Sequence, residues 1–409
     1  MGRKLRIVVV GGGIGGLTAA RALLRRGLEV HVYESSPELK EIGAGVALGP
    51  NAMKALRALE LEAPVRAIGY QSPVQQLRTW KGRVISKTDA TTAAQRFGAN
   101  GCTIHRADLL DVLAQSVPAD AVTLSARCEA VTTSDSVAVA RFTDGSEIEA
   151  DVIIGADGIH SAVRASLFGP DAPQFTGKIC YRSVIPVAAL PAKRLEPYEG
   201  LWLGPHGALV VYGVRRGELI NVVAHYEDVT YKHESWIAEC DRDEILGRYR
   251  KWHGSLRELF AAGETWYKWA LYDRDPMPAW TTGRVTILGD AAHPMLPYLG
   301  QGAGQAIEDG CVLAAALDKL GEDPVGALGL YERSRRPRAS RVVLTSRARG
   351  DDNHLVSPLA AMSRDLRIAV RKRFSKDLTG RGESWIAEYD AGSPAALAGL
   401  GDSGIPAGK

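Results

Sequence analysis

The 409 residues hold 50 Lys and Arg against 47 Asp and Glu, a formal net charge of +3, with 45% hydrophobic and 24% charged residues. That balance excludes a charge-dominated disordered chain and a globally basic nucleic-acid binder, and the length favours two domains over one. Five scattered cysteines (Cys102, Cys128, Cys180, Cys240, Cys311) lack metal-ligand or redox spacing, which points to free thiols in a reducing, cytoplasmic setting.

The apolar run 7–10 stops at Gly11, too short for a signal-peptide core, and no stretch reaches membrane-spanning length. It reads instead as a buried parallel strand, followed by a helix over 14–26 and a second strand over 29–33 that ends in Glu34. Between strand and helix lies Gly11-Gly12-Gly13-Ile14-Gly15-Gly16. In a dinucleotide fold Gly11 makes the tight turn, Gly13 lets the backbone approach a pyrophosphate, and Gly16 allows close helix packing. Glu34 would accept hydrogen bonds from ribose hydroxyls. This pattern serves FAD and NAD equally.

A further strand over 151–154 leads into Gly155-Ala156-Asp157-Gly158, which by itself is an Asp-Gly turn. Residues 173–272 change texture to short alternating Val, Tyr and Trp runs, the mark of antiparallel sheet. On the strand 208–214, alternation sets Ala208, Val210 and Tyr212 on one face, joined by His206 if the strand extends through Gly207. The run 284–288 leads into Gly289-Asp290, placing a carboxylate at the exit of a buried strand, where ribityl hydroxyls would satisfy it. Gly300-Gln301-Gly302-Ala303-Gly304 then opens a helix near Gln305, whose terminal amides would stabilise negative charge on a reduced flavin. A second helix spans 324–336, and the arginines at 333, 335, 336, 338 and 341 read as a solvated face, with a phosphate contact as the alternative. His293 reads either as a structural histidine or as a neighbour of the flavin. From 391 onward the small residues suggest a mobile tail. The hexapeptide Glu-Ser-Trp-Ile-Ala-Glu occurs at 234–239 and again at 383–388, without surrounding periodicity.

In this order the three glycine-and-carboxylate motifs resemble the class A, single-component FAD-dependent aromatic monooxygenases. Residues 42–51, His105-Arg106-Ala107-Asp108, Gly289 to Pro294 and Trp385 to Asp390 resemble the branch of salicylate, 3-hydroxybenzoate and 6-hydroxynicotinate hydroxylases. The resemblance covers roughly the first 350 residues. It implies an α/β fold: a Rossmann-like FAD-binding domain (1–172 and 275–345, with an excursion near 73–100) and an inserted antiparallel β-sheet substrate domain (173–274). A C-terminal helical segment (346–390) and the tail (391–409) would follow.

It further implies that Arg106 contacts the FAD pyrophosphate, that Asp290 binds the ribityl chain, and that Gly302 and Ala303 lie at the flavin pyrimidine edge. Ser35, Val46 and Cys128 would add FAD contacts, Asp157 would serve FAD and the nicotinamide nucleotide, and the Pro297 carbonyl would face the substrate ring. The implied reaction consumes NADH or NADPH and O2, activates oxygen at flavin C4a and hydroxylates a small phenolic or hydroxy-heteroaromatic acid. No nucleic-acid or membrane partner is implied, and the assembly is a monomer or homodimer. Relatives carry histidines where this chain has Ala208 and Ala47, so Tyr212 becomes the candidate to bind or deprotonate the substrate hydroxyl, with His206 as helper. Two alternatives stay open: an epoxidase or tailoring oxygenase acting on a larger secondary metabolite, and a redox-silent FAD-binding interaction protein.

Overall fold

The structure is a computed structural model that describes residues 5–39, 44–235, 237–375, 377–378 and 380–397. Its first sheet is six-stranded, in the order Thr281–Thr282, Val285–Ile287, Val152–Gly155, Arg6–Val10, Glu29–Tyr33, Val122–Thr123. The inner strands run parallel, with Val9 between Ile154 and Val32. The apolar runs of the two central strands, Arg6–Val10 and Val152–Gly155, follow from burial on both faces. The helix Ile14–Leu24 crosses the helix Gly302–Lys319 at Gly310, where a Cβ would stand 2.8 Å from the backbone nitrogen of Ala19. Only glycine permits that approach.

The second large sheet has eight strands, ordered Glu239–Cys240, Trp266–Asp273, Gln174–Pro186, Leu219–Glu227, Gly207–Val214, Gly200–Gly204, Val74–Thr79, Val84–Asp89. Alternation divides its side chains. Ile179, Tyr181, Leu209, Val211, Val222 and Ala224 point to a core shared with Ile245, Tyr249, Leu256 and Phe260 from two short helices. The opposite face, bearing Arg182, Val210, Tyr212, Asn221 and Val223, turns toward the nucleotide-binding part of the chain.

This is the α/β architecture read from the sequence, with three local corrections. The helix expected over 324–336 runs unbroken as Pro324–Asn353, through Pro337 and across the expected boundary at 345. Arg335 and Arg338 are not on a solvated face: they are 0% and 2% exposed, because two carboxylates lie beneath them. The stretch 391–397 is not the mobile tail expected, since Ala391 and Ala396 pack into the main core; residues 398–409 lie outside the described ones. Among the described residues no helix is long and apolar enough to cross a membrane.

The buried arginines hold the last helices to the first sheet. Arg335 donates to Glu308 Oε2 at 2.6 Å and to Asp309 Oδ1 at 2.8 Å, while Arg338 donates to both oxygens of Glu308 at 2.8 and 2.9 Å. Burial alone would raise both carboxyl pKa values. For Glu308 the two arginines outweigh it, and for Asp309 the neighbouring His293 and Arg335 do, bringing it down to about 2. Replacing Glu308 by Ala takes the carboxylate from Arg338 and leaves Arg335 with Asp309 alone. Urea unfolding of the FAD-free protein should show a loss of about 3–5 kcal/mol; a loss under 1 kcal/mol would contradict this account.

Candidate functional site

The glycine loop is built as a cradle. Gly11, at φ +105°, donates its amide to the Tyr33 carbonyl at 2.8 Å, and a Cβ there would strike the Ala156 carbonyl. A Cβ on Gly16 would collide with the Gly11 carbonyl oxygen. At Gly13, the N-cap of the helix, a Cβ would meet nothing within 4 Å. Space is therefore left where a pyrophosphate would meet the helix N-terminus. Glu34 Oε2 accepts the Gly12 amide at 2.6 Å, and Oε1 accepts the Ser36 amide at 2.7 Å and the Ser35 hydroxyl at 3.0 Å. Burial raises the Glu34 pKa, but these donors outweigh it and hold the group below its usual value, ionised at the edge of the loop.

Two further stretches converge on the cradle. Val46 lies opposite Ile104 in a two-stranded ladder, and the next turn starts the helix Arg106–Gln115, with the Arg106 amide donating to the Ala44 carbonyl at 2.6 Å. The helix of the third motif begins at Gly302, three residues before the expected start. A Cβ on Gly302 would also meet nothing within 4 Å, and Ala303 is half-buried beside it. The Gly302, Ala303 and Gly304 amides belong to a first turn without intrahelical acceptors.

Asp290 stands exposed in the turn Gly289–Ala291 that follows the strand Val285–Ile287. Behind it the buried Asp309, from the helix Gly302–Lys319, accepts the Gly289 amide at 3.0 Å and lies 2.5 Å from His293 Nε2. His293 is thereby a structural partner of the network. Asp157 spends both oxygens on its own turn, accepting from Ser161 Oγ at 2.6 Å and the Val163 amide at 3.1 Å, and burial raises its pKa. Cys128 lies close enough that burial, with Asp157 adding, pushes its thiol up to about 11. Pro297 is exposed, and its carbonyl accepts the Gly300 amide at 3.0 Å in a short turn.

Facing these loops is the open side of the eight-stranded sheet. Its joint with the cradle is Gly45, whose amide donates to Asn221 Oδ1 at 2.7 Å and whose carbonyl accepts from Arg182 at 3.0 Å. A Cβ there would stand 2.6 Å from the Tyr212 ring and 2.7 Å from Asn221. Tyr212 pairs with Asn221 across the ladder, and next to that pair the half-buried Val210 and Val223 make an apolar floor. Burial pushes the Tyr212 phenol up to about 12, with Arg182 opposing only in part.

His206 does not join this face. The strand starts at Gly207, and Pro205-His206 form the two-residue turn of a hairpin closed by the Gly204–Gly207 pair. There His206 takes φ +61°, stands exposed and lies 2.9 Å from Glu227. The histidine of this face is His225, which sequence reasoning missed. It sits directly across the ladder from Ala208, is 1% exposed, and neither ring nitrogen has a hydrogen-bond partner. The Tyr298 ring lies 4.8 Å away. Burial, reinforced by His354, Lys178 and Arg182, brings its pKa down to about 3, so it is neutral. The signal was the alternation Leu219, Asn221, Val223, His225, but it needed the pairing register to be read.

Alanine at the two loop glycines should separate cofactor binding from folding. Gly13→Ala should fold normally and bind FAD at least about tenfold more weakly, read by flavin fluorescence titration. Gly16→Ala should fail to accumulate as folded protein, because its methyl group would displace backbone.

A family model described as "FAD binding domain" matches residues 4–346. A 3-amino-4-hydroxybenzoate 2-monooxygenase of Streptomyces platensis is 39% identical over 388 residues, covering 94% of this chain and 96% of the relative. A 6-hydroxynicotinate 3-monooxygenase of Pseudomonas fluorescens is 35% identical over 349 residues, covering 84% and 90%. Among solved structures, a salicylate hydroxylase substrate complex superposes with a TM-score of 0.81 at 30% identity, covering 97% of this chain and 98% of that one.

Proposed function

The chain belongs to the FAD binding domain family, and from that footing we propose that it hydroxylates a small amino- or hydroxy-substituted aromatic acid, using NADH or NADPH and O2. It is an FAD-dependent aromatic monooxygenase. The observation that carries the substrate reading is the half-buried floor of Val210 and Val223, flanked by Tyr212 and His225 and tied through Gly45 to the cofactor cradle. Such a surface suits a flat ring with polar substituents at its edge.

Bound FAD would supply the redox chemistry, taking hydride from the reduced nicotinamide and activating oxygen. Gly13, Glu34, Arg106, Gly302 and Ala303 would hold it, and the open positions at Gly13 and Gly302 fit a closely approaching ligand. The protein's own tasks are to orient the ring and exclude water. A phenol pushed up to about 12 stays protonated at neutral pH, so Tyr212 donates a hydrogen bond to the substrate oxygen rather than taking its proton. His225 offers one N–H and one lone pair within a dry face, which suits a second ring substituent.

Purified holoenzyme incubated with NADH or NADPH should oxidise the nucleotide faster when the correct aromatic acid is added. A panel of hydroxybenzoates, aminohydroxybenzoates and hydroxynicotinates with no accelerating member would refute the proposal. Tyr212→Phe should divert NAD(P)H oxidation toward hydrogen peroxide, lowering product formed per nucleotide oxidised; unchanged coupling removes Tyr212 from this role.

His225→Leu separates binding from stability. Deleting an unpartnered buried imidazole should leave the melting temperature equal or higher, yet weaken aromatic-acid binding about tenfold. Equal affinity in the variant makes His225 a packing residue only.

A further inference from the structure

The helix Pro358–Phe374 is amphipathic in the inverted sense. Arg364, Asp365 and Ile368 face inward, while the large apolar residues face solvent: Leu359 is 77% exposed, Met362 64%, Leu366 65%, Val370 47% and Phe374 80%. Spacings of three, four, four and four residues set these five along one stripe. Six of the thirteen large hydrophobic side chains exposed among the described residues fall between 356 and 374, with Val356 completing the patch. Single exposed apolar residues are ordinary on a protein surface, but a contiguous stripe of this size marks an interface.

We propose that this stripe is the contact between two copies of the chain, paired antiparallel about a two-fold axis at Leu366. The stripe is close to symmetric about that residue. Reversing it sets Leu366 on its own copy, Met362 against Val370 and Leu359 near Phe374, the self-complementarity a two-fold contact requires. In the same register the exposed Arg367, Arg371 and Arg373 fall opposite positions near 365, 361 and 359 and not opposite one another, so the pairing avoids a clash of like charges. Covered completely, the stripe would bury about 600 Å² per copy and about 1,200 Å² for the pair, the lower end of what a specific dimer buries. Helices crossing on Leu, Met, Val and Phe pack as ridges into grooves without help from other elements.

FAD-loaded enzyme at tens of micromolar should sediment as a dimer. Leu366→Glu would set two carboxylates together on the axis and should weaken the dimer at least about a hundredfold, giving a monomer with an unchanged flavin spectrum and melting temperature. Val229→Glu, at a residue 71% exposed elsewhere, should remain dimeric. Leu366→Cys should cross-link to itself under mild oxidation, beyond the level of the wild type. A monomeric wild type, or a dimer that Leu366→Glu leaves intact, overturns the proposal. So does a monomer that co-sediments with phosphatidylglycerol vesicles and loses that property in Leu366→Glu, which would assign the basic-flanked stripe to a lipid surface.

Discussion

The cofactor site rests on one electrostatic bargain: two adjacent carboxylates, Glu308 and Asp309, buried beneath Arg335 and Arg338. Charges so enclosed are tolerated only when every partner is in place, and here the partners come from the whole length of the chain. Asn51 donates to Gln301 and Glu308, Gly289 and His293 meet Asp309, and Arg338 reaches the Ile386 carbonyl at 2.9 Å. Tyr389 lies under Arg338, with 4.0 Å between the guanidinium and the ring centroid. The network fixes the helix that starts at Gly302 against the loop that precedes it. The amides that would face a flavin are thus positioned by a buried network of side chains.

The sheet opposite is located by a smaller device. Gly45 has its amide held by Asn221 and its carbonyl held by Arg182, two strands of the same sheet. No side chain fits there, because Tyr212 and Asn221 already fill the space. Tyr212, the candidate substrate contact, is thus packed against the backbone that continues into Val46. The distance between floor and cradle is set by direct contact and not by a flexible linker, the preorganisation that orienting a reactant demands.

What the sequence disclosed and what it withheld follow a physical division. The glycine loop, Glu34 and the alternation around Tyr212 are local: each depends on residues a few positions apart, so spacing alone exposes them. Arg335 and Arg338 looked like surface residues because the compensating Glu308 and Asp309 lie one helix earlier, and pairing across helices leaves no mark on periodicity. His206 was placed on the Tyr212 face because the hairpin turn at Pro205 was not recognised, and His225 was overlooked because cross-strand register is a long-range property. The repeated hexapeptide makes the same point. Residues 384–388 form a helical turn with Ile386 buried, whereas the other copy ends in the strand Glu239–Cys240. Surroundings, and not the six residues themselves, choose between them.

The reach of Arg338 to Ile386 and Tyr389 also bears on how the protein is made. On the ribosome the glycine loop and the first strands emerge early, but the carboxylate pair has no complete set of partners until nearly four hundred residues have been synthesised. Until then Arg338, one of the two cations over Glu308, lacks its stacking and carbonyl support. A nascent chain arrested before residue 386 would carry the glycine loop and the Gly302 helix with Arg338 incompletely seated.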